Sequence, residues 1–428
     1  MVVGIIIGAS IFVQPSEITG HVRSVPGILL VWLVAGALTF AGALVAAELS
    51  SAFPQTGGVY VFLKSAFSPA IGFLWGWAMF WCMHSGIVAA IAVIFARYVA
   101  HFMPVGDAGV RAIAIGAIIA LSGVNYLGVR QGSAIQTAFT AVKVLAIVLV
   151  TVAAFALKPI SPAVSPVLAS AAHVGFSDFA FAVVAGLFAF GGWHMVTYAA
   201  GETVRPQRTI PLALILGTLV VTACYIALNA AYLAVLPLER VAASTRIAAD
   251  AADAVIGRGG GDFMAALVIF STLGGLAGII LAGPRVYYAM ARDGLIFGWL
   301  CKVHPRFQTP HRALLLQAIW SSVLVLTGTY RELFTRVVYM EWIFFGLMAI
   351  GLFVLRRRPG YAPAYRMWGY PVVPAVFIVV SFAIVTTELV AAPVARLSGL
   401  VLVGLGLPVY YFWARRPGHA LQAKTPQP

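Results

Sequence analysis

The stretch FAFGGWH, residues 188–194, sits at the centre of an otherwise apolar segment, FSDFAFAVVAGLFAFGGWHMVTYAA, residues 176–200. A segment of that length matches a bilayer core of about 30 Å. Adjacent glycines are a poor choice for its middle, because each costs about 1 kcal/mol of helix propensity relative to alanine. The segment reads as a membrane span built to break halfway across.

Composition supports a membrane setting for the whole chain. Its 428 residues are 62% hydrophobic and 9% charged, whereas soluble domains carry roughly 25% charged residues. Apolar runs of spanning length recur from end to end, so the fold class is an all-α polytopic membrane protein with the lipid bilayer as its solvent. The 27 basic and 13 acidic residues give a net charge of +14. The basic residues fall in short connections between apolar runs, as orientation signals do, and not on one surface fit for nucleic acid. Cys82, Cys224 and Cys301 have no metal-binding spacing and read as packing residues. We expect no metal, no cofactor, no cleavable signal peptide and no appended soluble domain.

About twelve spans can be drawn, near 1–20, 26–52, 70–102, 111–128, 133–157, 176–200, 210–236, 263–291, 313–328, 333–355, 372–391 and 396–413. With both termini in the cytoplasm, about 15 basic residues fall in inner connections and about 9 in outer ones, the bias expected of that orientation. The connection 237–262 is then a long outer loop. Met1 leads at once into VVGIIIGASIF, from which we expect a late gene start, the alternative being a protein that has lost the opening turns of its first helix and their part of the cytoplasmic gate.

A second span also looks broken. GIIIGASIFVQP, residues 4–15, places Gly4, Gly8, Ala9 and Ser10 ahead of Pro15. The two breaks open two blocks of five spans, 1–157 and 176–355, followed by a pair of helices over 372–413 and a cytoplasmic tail over 414–428. Interrupted spans at matching places in two halves point to a transporter with inverted repeats, since an odd number of spans per block turns the second block over. The alternative for either glycine site taken alone is close helix packing. Broken backbone in lipid is tolerated where protein or a water-filled cavity surrounds it. Unwinding near Gly8–Ser10 frees N–H groups at the positive start of a half-helix, which suits a carboxylate. Unwinding at Phe188–Gly192 frees carbonyls, which suit an ammonium group. Facing each other, the two breaks would hold both ends of an amino acid.

GIIIGASIFVQP, AAELSSAFPQTGGVYVFL (46–63), GLFAFGGWHMVTYAAGETVRPQRTIP (186–211), STLGGLAGIILAGPRVYYAMARDGLIF (271–297) and LRRRPGYAPAYRMWGYPVVPAVF (355–377) together resemble the amino acid–polyamine–organocation permeases. The resemblance runs in order to about residue 415 and is nearest to bacterial permeases like the L-type amino acid transporter branch. It implies the five-plus-five inverted-repeat (LeuT-like) fold with helices 1 and 6 broken, two added helices, and alternating access around a central site. It also implies that backbone N–H groups of Gly8, Ala9, Ser10 and Ile11 take the substrate carboxylate. Carbonyls of Ile6, Phe188 and Gly191 would take its amino group, with Phe188 closing as a gate and Phe190, Gly192, Trp193 and His194 around the pocket. The sequence departs from the family pattern at Ser10, where glycine is usual, and at His194, where many large-neutral exchangers have asparagine. His194 then either reads a polar substrate, takes part in proton movement, or is a hydrogen-bonded structural residue.

Lys143 lies ten residues into the fifth span, within TAFTAVKVLAIVLV (137–150). An unpaired cation at the bilayer centre costs about 2.5–3.5 kcal/mol or more, so it marks function unless it snorkels to an interface. The resemblance puts this lysine where sodium-coupled relatives hold Na⁺, implying a sodium-independent protein with Lys143 as a fixed charge or a proton carrier in coupling. Glu48 and Arg285 read as inner-gate or helix-anchoring charges. Arg336 and Glu341 are five apart, share no helix face well, and receive no role, and neither does Glu388.

The eight histidines form no HxxxD or HExxH pattern, and there is no phosphate-binding or dinucleotide loop. An embedded enzyme or an ATP-driven pump is therefore disfavoured, and no filter repeat suggests a channel. The expectation is a secondary transporter of neutral amino acids in the cell (inner) membrane, taking them up with protons. Amino acid exchange is the alternative, and a non-transporting sensor a more remote one. No partner subunit is implied.

Overall fold

Each apolar stretch is helical, as a chain in lipid must be, because backbone N–H and C=O groups without water have to satisfy one another within the segment. The computed structural model describes residues 1–8, 10–157, 175–257, 259–328, 330–391 and 393–414. Ala9, the connection 158–174 and all of the expected tail after Ala414 lie outside those residues. The spans follow the order read from the sequence. The first comprises helix Val2–Ile6, a tight turn Ser10–Phe12 and helix Gln14–His21. The second is Val25–Ala52, the third Pro69–Val99, the fourth Asp107–Tyr126 and the fifth Val129–Leu157. The sixth is Phe176–Ala189 followed by Trp193–Glu202, and the seventh Pro206–Val235. The eighth is Gly260–Ala282 continued by Pro284–Arg292, the ninth His311–Thr327 and the tenth Tyr330–Arg356. The eleventh is Val372–Ala391, and the twelfth is built from Pro393–Gly404 and Gly406–Ala414.

Ten helical segments among the described residues are long and apolar enough to cross a membrane. The first span falls short because its break divides it, and the ninth because it is 17 residues long. The chain is thus a multi-pass membrane protein. Two regions read as connections are helical. Between the second and third spans lies Val59–Ala66, and the long loop 237–262 carries Leu238–Ala243 and Ile247–Ile256.

The second span lies along the seventh, the third packs on the tenth, and the eighth packs on the fifth. The two broken spans meet near the centre of this arrangement.

At the expected cytoplasmic face, charge clamps fix the span ends. Glu48 is wholly buried. It accepts from Arg356 Nε at 2.8 Å and NH2 at 2.5 Å, and from the Met367 backbone N–H at 2.8 Å. Arg356 also lies 3.8 Å over the Tyr370 ring. Glu48 therefore ties the second span to the tenth and to the connection after it, which accounts for the RRRPGYAPAYRMWGYP motif. Lys64 and Tyr60 on the short helix reach Asp293 at 2.5 and 2.6 Å, and Arg358 donates to the last carbonyls of that helix, Ser65 and Ala66. Glu48→Gln keeps the Met367 bond but removes the charge facing Arg356. It should destabilise the protein by about 1–2 kcal/mol, read as a lowered unfolding temperature in detergent. An unchanged temperature would show that the clamp is not a structural one.

Candidate functional site

The first span stops being helical where its glycine sits. After Ile6 the chain turns at Ile7, and the Gly8 N–H donates back to the Ile6 carbonyl at 2.7 Å. Helix resumes at Gln14 with Pro15 in its first turn, where the missing proline N–H does no harm. Among the described residues no acceptor pairs with the N–H of Ser10 or Ile11. Both residues are buried, so two donors stand ready at the start of the half-helix.

In the sixth span, Phe190 N–H bonds to Leu187 at 3.2 Å and Gly191 N–H to Phe188 at 2.9 Å, which tightens the last turn. Gly192 has φ +89°, in the left-handed region where side chains are disfavoured. A Cβ on it would lie 2.5 Å from Ile5 Cγ2, so the glycine also admits the first span. The two breaks meet at that contact.

Tyr225 of the seventh span locks them together. Its hydroxyl lies 2.8 Å from the Ile6 carbonyl and 3.0 Å from that of Ala189, one from each break. One hydroxyl proton serves both carbonyls in turn. The ring is wholly buried against Trp32 and Phe190, at centroid distances of 5.4 and 5.0 Å. The only sequence signal for Tyr225 is a polar atom within an apolar span, which many structural tyrosines share. Tyr225→Phe should lower the initial uptake rate by roughly 5- to 100-fold, the equivalent of about 1–3 kcal/mol for a buried carbonyl left unpaired. A rate equal to wild type would show that the hydroxyl does not hold the breaks in place.

Lys143 is 2% exposed, which rules out snorkelling. Its ammonium donates to the carbonyls of Gly4 at 3.1 Å and Ile7 at 2.8 Å. These are end carbonyls of the first half-helix, the negative pole of its dipole. The side chain crosses the eighth span at Gly274 and Gly275, where added Cβ atoms would come within 3.3 Å of Cε and 3.6 Å of Nζ. The junction of spans one, five and eight thus carries its own cation.

A cavity of about 30 Å³ lies between the breaks, room for about one water molecule. Ile6, Gly8, Ser10, Phe188, Gly191 and Gly192 line it together with Ile5, Ala189 and the side walls Ile87, Ile91, Met195 and Ile279. Those walls are apolar. Two larger spaces lie elsewhere along the spans. One of about 250 Å³ is bounded by Val13, Ile94, Arg97 and Arg246, further along the same spans. The other, of about 470 Å³, is bounded by Glu202, Arg285 and Arg292.

Other expected pocket residues sit elsewhere. Phe190 packs on Trp32 and Tyr225, and Trp193 on Phe345. The His194 ring, wholly buried, faces Trp75, Trp193, Tyr198 and Phe345 on the far side of the span from the cavity. The tight helix after Gly192 turns Gly192 and Met195 inward and the two residues between them outward. Ile11 is buried beside the cavity without lining it, and Ala9 lies outside the described residues. Arg285 pairs with Glu202 at 2.7 Å and with the Leu281 carbonyl, on the wall of the larger space. Glu48 and Arg285 therefore belong to separate clamps.

A family model described as amino acid permease matches residues 1–404. The chain is 32% identical over 426 residues to the serine/threonine exchanger SteT of Bacillus subtilis, covering 97% of this chain and 95% of that one. It is 28% identical over 435 residues to the human b(0,+)-type amino acid transporter 1, covering 97% and 88%. To the human large neutral amino acids transporter small subunit 2 it is 29% identical over 441 residues, covering 97% and 80%.

Proposed function

The chain belongs to the amino acid permease family, and from that premise we propose that it takes up small neutral amino acids by alternating access, with protons and without sodium. The observation that carries this reading is the meeting of the two broken spans at one apolar-walled cavity. The substrate carboxylate binds the free N–H groups of Ser10 and Ile11, with Gly8 and Ala9 completing the loop. Its ammonium group binds the carbonyls of Phe188 and Gly191. The Ile6 carbonyl is already engaged by Tyr225 and Gly8, so we give it the secondary part of fixing the break. Phe188 is the gate. Ile87, Ile91, Met195 and Ile279 offer a substrate side chain no charge, which favours small aliphatic or hydroxylated amino acids.

Lys143 supplies a built-in cation where a bound ion would otherwise hold the first and eighth spans together, which is the support for sodium independence. The blocks 1–157 and 176–355 act as the inverted repeats, with 372–413 as an accessory pair. The basic-residue bias supports the cell membrane with both termini, including the tail 414–428, in the cytoplasm. We assign no partner subunit.

Exchange is the second reading, favoured by the name of the Bacillus relative. Proteoliposomes holding the purified chain alone separate the two. Labelled serine, threonine and alanine are offered with or without internal amino acid, with or without an acid-outside gradient, in sodium-free buffer. Stimulation by the gradient in empty vesicles is expected. Uptake that needs internal substrate and ignores the gradient would establish exchange, and a requirement for sodium would remove the role given to Lys143.

A further inference from the structure

Proton coupling, on which this inference rests, needs a group that can bind and release a proton. Lys143 already joins two carbonyls of the first break, and it is not alone among the buried titratable groups. A different set of buried groups has no assigned work. Behind the sixth span, away from the cavity, both nitrogens of His194 lack a hydrogen-bond partner. So do His84 Nδ1, Trp75 Nε1 and the Tyr198 hydroxyl, while the hydroxyls of Ser85 and Tyr287 meet each other beside them. All these residues are at most 2% exposed. They come from the third, sixth and eighth spans and enclose one region. The His194 ring centroid is 5.8 Å from Trp75 and 5.5 Å from Tyr198, and His84 and Tyr287 lie within electrostatic reach of His194 and Tyr198 respectively.

The tenth span closes the region. Phe345 touches His194 at 4.8 Å, and Glu341, one turn earlier on the same face, lies within electrostatic reach of the Tyr198 hydroxyl. Glu341 is 7% exposed and forms no ion pair among the described residues. Nearby charges are already used. Arg396 pairs with Glu388 at 2.6 Å beside Tyr339, and Arg285 pairs with Glu202. A carboxylate without an ion-pair partner among the described residues is expensive at this depth, and a bound proton removes the charge. Polar atoms without partners in so dry a setting call for water.

We propose that the third, sixth, eighth and tenth spans enclose a hydrated chamber that binds the coupled proton, with Glu341 as its carrier and His194 as its relay toward the substrate cavity. In the transfer the carboxyl O–H bond breaks and an N–H bond forms on the His194 ring through intervening water. Carboxylate and imidazolium result, a pair that attracts. His84 anchors the chamber beside the cavity. Its Nε2–H donates to the carbonyl of Ile279 at 2.9 Å, and Ile279 lines the cavity.

The test uses the full chain in proteoliposomes carrying an internal pH dye, with serine added outside. Wild type should acidify the lumen when substrate enters. Glu341→Gln should abolish that acidification and flatten the pH profile of uptake while keeping serine-for-serine exchange, and Glu341→Asp should restore acidification. Acidification retained in Glu341→Gln overturns the chamber and leaves coupling intact. Wild-type serine transport without acidification removes both the chamber and the coupling reading, but not amino acid transport. No transport of any amino acid by wild type removes the substrate reading itself. Loss of exchange along with acidification, unrestored by aspartate, would mark Glu341 as structural and overturn its role.

Discussion

Lys143→Ala should lower initial amino acid uptake by at least about 30-fold and by as much as about 10,000-fold, the largest loss expected of any substitution here. The ammonium bonds both Gly4 and Ile7. Alanine strips two carbonyls at a buried helix end of their donor at a cost of about 1–3 kcal/mol each, and about 1.4 kcal/mol is a factor of ten. The loss falls on the break itself, so the first half-helix no longer presents Ser10 and Ile11 in a fixed place. Folding should survive, because the affected helix is one short segment of the bundle. The measurement is initial uptake per reconstituted molecule, with monodispersity in detergent as the control for folding. Uptake at the wild-type rate would sink the assignment of Lys143 to the transport cycle.

Gly192→Ala carries the next largest effect. A left-handed backbone costs an L residue roughly 1–2 kcal/mol, and the added Cβ would lie 2.5 Å from Ile5 Cγ2. Both penalties act where the broken spans meet, so uptake should fall by at least about 30-fold, an estimate taken from overpacking costs of about 1–3 kcal/mol on top of the backbone term. Gly8 offers the contrast. Its Cβ position meets nothing nearer than 3.8 Å and its backbone is not in the left-handed region, so Gly8→Ala should be milder. Combining Gly192→Ala with Ile5→Ala relieves the clash but not the backbone term and should recover part of the loss. Equal uptake by Gly192→Ala and wild type would mean that the close approach of the two spans is dispensable.

Much of the architecture was legible in the chain. The order of the spans and the two breaks follow from apolar run length and the places of Gly4, Gly8, Gly191 and Gly192, all of them local properties. The amphipathic helix Val59–Ala66 was read as connection because eight residues are too few to register as a span. Ser10, Phe188, Gly191 and Gly192 converge on one cavity, whereas Phe190, Trp193 and His194 pack against other aromatic rings. Which side a residue takes after a break depends on the turn angle at Gly192, and composition carries no record of that angle.

Glu341 shows the same limit more sharply. In the sequence its spacing from Arg336 suggests no role; in the structure it is a buried carboxyl within electrostatic reach of Tyr198. By itself the sequence determined a polytopic carrier with two interrupted spans and one lysine within the fifth. Tertiary structure decided what that lysine holds, since Gly4 lies 139 residues away. It likewise decided that Tyr225 bridges both breaks, across 219 residues to Ile6, and that the His194 ring packs among Trp75, Trp193, Tyr198 and Phe345. The reason is physical. Helix formation in lipid is settled within each segment by its own hydrogen bonds, while the partner of a buried polar group is settled by how segments pack side by side.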